Sequence, residues 1–260
     1  MSLRTGIYQP EALDDRAFLE QVHELRPDLL LVVAFRILPE VLFGLPQHGA
    51  INVHASLLPR YRGAAPIARA LMDGAEQTGV TTFQIVRRVD RGGILLQRTT
   101  AIDSADNAGT LTGRLAHIGA ELAVQTLNGV EAGTLQPTPQ NNALATRAPK
   151  LTPDDRPVRW DQPAQMSHHR VRALAPVPGA VIRLEGKMIK LLETEFDTKP
   201  SAAAPGTVTD PGAIRGVAVA TAAGTLFLRQ LQPEGKGVMP ASAWLRGRPL
   251  AAGTRFDRLT

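Results

Sequence analysis

The hydrophobic pattern of the first 136 residues alternates between short apolar runs and helical periodicities. The run Leu29–Phe35 is continuous, which predicts a strand buried on both faces of a parallel sheet. Further along, five apolar residues recur at helical spacing: Leu111, Leu115, Ile118, Leu122 and Val124. They predict a helix over Asp106–Asn128, with Gly129 just past its end. Strands that alternate with helices predict a doubly wound α/β domain over 1–136.

The other elements of this domain follow from shorter patterns. The first predicted helix, Pro10–Arg26, has Asp14 and Asp15 in its first turn. Further helical segments are predicted at Ile37–Phe43 and Ala64–Met72. Strands are predicted at Ala50–Val53, Val80–Val86 and Gly92–Thr100.

The pattern changes after residue 136. Prolines and paired polar residues interrupt every periodicity, so we predict a linker over 137–157. Beyond it, Pro163–Ala175 is predicted to be helical. Several short apolar segments then follow, separated by turns such as Glu185–Gly186, and they predict a small β-barrel domain over 158–260.

Composition limits the class of protein. Of the 260 residues, 43% are hydrophobic, which suffices for one large or two modest cores. The chain has no cysteine, which excludes disulfides and thiolate catalysis and fits a cytoplasmic protein. No apolar run approaches the ~20 residues of a membrane span, and the N-terminus lacks a signal-peptide core. We therefore expect no membrane partner.

Charge is unevenly distributed along the chain. Residues 1–140 contain 12 Lys+Arg and 14 Asp+Glu, a net charge of −2, whereas residues 141–260 contain 17 and 10, a net charge of +7. A basic second half indicates a polyanionic partner. The alternative is a basic surface that is simply solvated, and charge alone does not decide between the two.

Two polar residues follow the start of a predicted strand. Asn52 and His54 are two positions apart, so their side chains point to the same side. Asn52 could donate to an oxygen that gains charge, and an imidazole titrates near neutral pH. From spacing alone, the favoured explanation of the pair is an Asn that caps a turn and a His packed at a strand end.

Three longer strings carry a family resemblance. They are INVHASLLPRYRGAAPI at Ile51–Ile67, LLLVVAFRILPEVL at Leu29–Leu42 and TGVTTFQIVRRVDRGGILL at Thr78–Leu96. They resemble the folate-dependent formyltransferases, most closely those that act on methionyl-tRNA. The resemblance implies an α/β class: an incomplete Rossmann-like formyltransferase domain followed by an OB-like β-barrel domain that contacts tRNA. It also implies formyl transfer from 10-formyltetrahydrofolate to initiator methionyl-tRNA, in translation initiation.

By this resemblance, three residues are catalytic. Asn52 would bind the formyl oxygen, His54 would stabilise the same charge, and Asp90 would orient His54 and take the proton of the amine. No metal is required. In isolation, Asp90 in VDRGG is typical of a turn residue. Ser56 beside His54 also admits a Ser-His-Asp hydrolase, but it lacks the G-x-S-x-G elbow.

The resemblance assigns two further sets of residues. The folate pterin would lie between two loops formed by Phe35, Arg36, Ile37, Leu38, Val86, Arg87, Arg88 and Val89. The amino substrate would contact the loop after His54, formed by Ser56, Leu57, Leu58, Pro59, Arg60 and Arg62. The two arginines could contact phosphates or be merely solvated. Two departures stand out: Gly93 replaces a residue that is usually acidic, and Ala34–Pro39 is a shortened pterin loop.

The resemblance begins near Gln9–Pro10, and family members carry about 60 more residues in front, or two βα units. We therefore expect an N-terminally truncated chain that transfers formyl groups poorly. We also expect Leu29–Phe35 to have an unpaired edge. A complete chain would be monomeric, and a truncated one could dimerise. The alternatives are a formyltransferase for an amino-sugar nucleotide and a non-catalytic remnant that binds tRNA or folate.

Overall fold

The computed structural model describes residues 6–34 and 36–258. Their contacts divide into two units. Unit 1 comprises the described residues of Met1–Gly63, Gly79–Thr99 and His117–Arg147, and unit 2 those of Ala64–Thr78, Thr100–Ala116 and Ala148–Thr260. The domain boundaries at 136 and 158 stay predictions.

A four-stranded mixed sheet carries the first part of the chain. Its strands lie in sequence order: β1 (Leu30–Val33), β2 (Ala50–His54), β3 (Gln77–Gln84) and β4 (Ile94–Ala101). β1 and β2 are parallel, as predicted, but β2 and β3 are antiparallel. Four helices lie in this part of the sequence: α1 (Arg16–Leu25), α2 (Glu40–Phe43), α3 (Pro66–Met72), which belongs to unit 2, and α4 (Ala108–Glu131).

β1 is not buried on both faces, so that prediction is wrong. Leu31 is 41% exposed and Val33 is 58% exposed, whereas Leu30 packs with the apolar side chains of α1 and α2. In the described part of the chain β1 pairs with β2 alone. The expected unpaired edge is therefore confirmed for these residues, and the edge leaves alternate side chains uncovered.

Two helices have different ends from those predicted. Asp15 is the N-cap of α1, because its Oδ1 accepts a hydrogen bond from the Phe18 amide at 3.0 Å, so the helix begins at Arg16. α4 continues through Gly129 to Glu131, and Gly133 follows it with a φ of +66°. Val124 is 57% exposed and lies outside the buried stripe of α4.

The second part of the chain forms a curled antiparallel half-barrel. α5 (Ala164–Leu174) precedes six strands, and α6 (Ala241–Gly247) follows them. The strands are β5 (Ala180–Leu184), β6 (Lys187–Asp197), β7 (Val208–Asp210), β8 (Val217–Ala220), β9 (Thr225–Pro233) and β10 (Met239–Pro240). They lie in the order β5-β6-β9-β8-β7, and β10 pairs with β9. The predicted fold class, with its OB-like second domain, is confirmed.

The sheet of this half-barrel bends around a hydrophobic core. Register shifts interrupt the pairing of β6 with β9 near Glu193, and such irregularities increase strand bending. The bent sheet encloses buried aliphatic residues, and Trp160 stacks on Phe256 with ring centroids 5.5 Å apart. Trp160 is therefore a core residue of unit 2.

The proline-rich segment 137–157 makes specific contacts within each unit. In unit 2, Arg69 contacts both carboxylate oxygens of Asp155, at 2.6 and 2.8 Å. These hydrogen bonds, with those from Thr152, hold the pKa of Asp155 below its ordinary value although partial burial opposes them. The segment is thus an ordered part of the fold.

No helix in the described ranges combines the length and the apolar character that crossing a bilayer requires.

We predict that the exposed edge of β1 promotes self-association. Val33→Lys should lower the fraction of dimer or larger species, because a charged residue on an edge strand opposes pairing with another chain. Val124→Lys is the matched control, since it changes an equally exposed valine on a helix that cannot template a strand. Analytical ultracentrifugation over a concentration series checks this. A monomeric wild-type chain, or equal effects of both variants, would contradict it.

Candidate active site

β2 directs Asn52 and His54 to one face of the sheet. Val53, between them, faces α4, where Gly119 has no side chain: a Cβ there would lie 3.3 Å from Val53 Cγ1. Its cross-strand partner Thr82 also contacts α4. Because side chains alternate along a strand, Asn52 and His54 lie on the opposite face, as their spacing predicts.

The imidazole of His54 is buried and oriented. It is 6% exposed, lies edge-on to Phe83, and its Nε2 is 2.9 Å from the carbonyl oxygen of Tyr61. A carbonyl only accepts hydrogen bonds, so Nε2 carries a proton and donates it. In the neutral ring Nδ1 is then the acceptor.

Asp90 lies on the loop after β3 and contacts the same loop as His54. Its backbone has a φ of +54°, and its Oδ2 accepts a hydrogen bond from the Gly63 amide at 2.8 Å. Within the described ranges no hydrogen bond joins Asp90 to His54. The two are instead brought together through Tyr61 and Gly63, which are two residues apart.

Ser56 has a structural position in this loop. It is 0% exposed, and its hydroxyl donates to the Arg60 carbonyl at 2.7 Å. Its own carbonyl accepts from Thr81 Oγ1, which in turn accepts from the Leu58 amide. A buried, engaged hydroxyl does not serve as a nucleophile, so the geometry gives the hydrolase alternative no support.

The other residues of the predicted substrate loop differ in exposure. Leu58 is buried, Leu57 and Pro59 are half-buried, and Arg60 is exposed. Arg62 is held: its Nε and Nη2 donate to Gln140 Oε1 at 3.1 and 2.6 Å. Partial desolvation first, and then the neighbouring charge of Arg91, lower the pKa of Arg62 from its ordinary value.

The predicted folate loops expose apolar surface. Phe35 lies outside the described residues. Leu38 is half-buried, and the six other described members of this set are exposed: Arg36, Ile37, Val86, Arg87, Arg88 and Val89. Arg36 donates to the carbonyl groups of Pro10 and Glu11.

Gly93, the departure from the family pattern, has a packing reason. A Cβ at Gly93 would lie 2.6 Å from Pro137 Cβ, and one at Gly92 would lie 1.6 Å from the Gln84 carbonyl oxygen. The chain therefore leaves no room for the usual acidic side chain unless Pro137 moves.

Sequence reasoning missed two residues that complete this site. Gln140 contacts Asp90, Gly92 and Arg62, and Thr146 Oγ1 accepts from the Tyr61 amide at 2.8 Å. Both fall in or near the predicted linker. The only signal there is a run of amides, Gln140–Asn142, which is also typical of a loop.

In the ranges that the structure describes, no group of three or more His, Cys, Asp or Glu side chains could hold a metal ion. The adjacent histidines of α5 have other surroundings. His168 Nδ1 lies 3.0 Å from Thr194 Oγ1. Burial, with smaller effects of Arg172 and His169, lowers the pKa of His168 to about 4, so its ring is neutral at pH 7.

Comparison with known proteins identifies the class of protein to which this chain belongs. Residues 2–127 match the family model described as formyl transferase, and residues 150–249 match the one described as formyl transferase, C-terminal domain. The chain belongs to the formyl transferase family. It is an enzyme of the one-carbon transferase class.

Within this family the relatives have a common name. The methionyl-tRNA formyltransferase of Moorella thermoacetica is 42% identical over 248 residues, which cover 95% of this chain and 79% of that protein. That of Heliobacterium modesticaldum is 44% identical, with 98% of this chain and 84% of the relative covered.

A solved structure supports the fold. HypX from Aquifex aeolicus in complex with tetrahydrofolic acid matches 87% of this chain and 40% of that chain, with a TM-score of 0.65 and 22% identity. At this identity the likeness concerns the fold alone.

Proposed function

We propose that this chain transfers the formyl group of 10-formyltetrahydrofolate to the amino group of initiator methionyl-tRNA, in the cytoplasm and for translation initiation. One observation carries the proposal: the loop after β2 contacts both His54 and Asp90, while Asn52 shares the sheet face of His54. About 40% identity to methionyl-tRNA formyltransferases over nearly the whole chain supports the choice of substrate.

The three groups correspond to the needs of the reaction. 10-Formyltetrahydrofolate supplies the formyl carbon: the amine bonds to this carbon, the bond from the carbon to N10 breaks, and tetrahydrofolate leaves with a proton on N10. Asn52 donates a hydrogen bond to the oxygen that gains charge when the amine attacks, and such donors contribute roughly 2.7–4 kcal/mol. His54 donates a hydrogen bond from Nε2 to the Tyr61 carbonyl oxygen. Its other ring nitrogen, Nδ1, is therefore the one that can stabilise the same charge, once Nδ1 carries a proton. Asp90 accepts the proton that leaves the amine, directly or through water.

The two loops beside this site would hold the folate. Ile37, Val86 and Val89 offer exposed aliphatic surface, and the backbone around Arg36, Leu38, Arg87 and Arg88 offers amides and carbonyls for the pterin edge. Phe35 completes this set. Arg60 is the exposed cation of the substrate loop and is available to a phosphate.

The basic second domain supports a nucleic acid rather than a sugar nucleotide as substrate. Because β6 and β9 are antiparallel, the start of β6 and the end of β9 lie at the same end of the sheet. Lys187 and Lys236 are exposed there, and Arg248 pairs with Glu185 in the neighbouring turn. Lys190 and Arg246 extend the basic surface. We call Lys187 and Lys236 the basic end.

A transfer assay tests the proposal. Labelled 10-formyltetrahydrofolate should formylate charged initiator tRNA far faster than an amino-sugar nucleotide, because only the former matches the basic second domain. Preference for the sugar nucleotide would favour the other formyltransferase activity. Binding of tRNA and folate without turnover would indicate a non-catalytic protein.

Alanine substitutions test the three reacting groups. Asn52→Ala should lower kcat by about 10²–10³-fold, and His54→Ala and Asp90→Ala by about 10²–10⁴-fold, because each removes charge stabilisation or proton transfer. Asn128→Ala, on the exposed face of α4, is the matched control and should retain activity. Near-wild-type turnover of a variant with intact circular dichroism would reject that residue's role.

Salt dependence tests the basic end. Lys187→Gln with Lys236→Gln should lower tRNA affinity and reduce the slope of log K against log salt by about 1 for each lysine. Lys199→Gln is the control, since Lys199 lies just past the other end of β6. Equal slopes for the double variant and the wild type would show that these lysines do not contact phosphates.

A further inference from the structure

Gln140 uses its whole hydrogen-bonding capacity on the two loops of the candidate site. Its Nε2 donates to the carbonyl oxygens of Asp90 at 3.0 Å and Gly92 at 2.8 Å. Its Oε1 accepts from Nε and Nη2 of Arg62, at 3.1 and 2.6 Å. An amide has two N–H donors and two lone pairs on oxygen, and all four have partners here.

These contacts act on a residue with an unfavourable backbone. Asp90 has a φ of +54°, a conformation that non-glycine residues keep only when their surroundings stabilise it. Gln140 contacts the carbonyl oxygen of Asp90 itself and the one two residues later. It therefore fixes the backbone from which the Asp90 carboxylate reaches the Gly63 amide.

We propose that Gln140 is a positioning residue for formyl transfer, which holds the Asp90 carboxylate beside the Tyr61–Gly63 loop. This inference rests on the proposed function. Gln140 does not contact the reacting atoms. Its side chain joins the Asp90 loop to Arg62, so the proton acceptor and the loop that contacts His54 keep one relative position.

The test uses an isosteric pair of variants. Gln140→Glu keeps the length of the side chain and an acceptor for Arg62, but its carboxylate replaces both N–H donors and faces two carbonyl oxygens. Asn142→Asp makes the same chemical change two residues later, at a side chain that accepts from the same Arg62 Nη2 at 2.9 Å. Within the described residues no hydrogen bond joins the Asn142 side chain to Asp90 or Gly92.

We expect kcat to fall about 10–100-fold in Gln140→Glu, with the KM of both substrates changed less than about threefold, since misplacement of a reacting group acts mainly on the chemical step. Amide hydrogen exchange of Gly63 should become at least about tenfold faster, because that amide loses its acceptor. Asn142→Asp should leave both quantities unchanged. Gln140→Met, which is neutral and also lacks donors, should match Gln140→Glu.

Several outcomes would overturn the proposal. They are wild-type kcat in both Gln140 variants, an equal loss in Asn142→Asp, or a loss of kcat without faster exchange at Gly63. If Gln140→Glu does not fold, Gln140→Met decides. If the wild-type chain shows no formyl transfer, the proposed function fails. The amide hydrogen-exchange rate of Gly63, compared between the wild type and the Gln140 variants, then still shows whether Gln140 positions Asp90.

Discussion

The loop over residues 59–63 leaves the sheet, and the candidate site depends on how the backbone polar groups of this loop find partners. Part of the need is met by backbone, since the Arg62 amide donates to the Thr146 carbonyl at 3.0 Å and the Thr146 amide donates to the Pro59 carbonyl at 3.3 Å, and side chains serve other groups. Here the Tyr61 carbonyl is bonded by His54, the Tyr61 amide by Thr146, and the Gly63 amide by Asp90. The contacts that fold the loop are therefore also the contacts that orient the imidazole and the carboxylate.

This shared use connects stability with activity. A buried donor or acceptor that loses its partner costs about 1–3 kcal/mol, so replacing His54 or Asp90 disturbs the loop as well as the proposed chemistry. Tyr61, with a φ of +58°, and Asp90, with a φ of +54°, add backbone strain of about 1–3 kcal/mol each. The network of Gln140, Arg62 and Thr146 offsets this strain, and all three residues lie outside the α-helices and β-strands given above.

Local rules predicted the parts of the fold that depend on near neighbours. The two-residue period placed Asn52 and His54 on one face, and the helical period located α4. The exposure of Val33 could not be read from its apolar run, because burial depends on which strands lie beside it. Gly129 and Gly133 were equivalent as stop signals, and only the positive φ of Gly133 distinguishes them. Gln140 was missed because its partners lie about 50 and 78 residues away in sequence. Local patterns of residue types carry no information about contacts at such separations.

The distance between Tyr61 and Thr146 has a consequence for synthesis of the chain. The Tyr61 amide receives its partner 85 residues later, so the loop is incomplete until that residue has been made. At ribosomal rates of 5–20 residues per second, the delay is about 4–17 s. A nascent chain that already contains Asn52, His54 and Asp90 thus still lacks one hydrogen bond of the candidate site, and it gains that partner only when translation has passed residue 146.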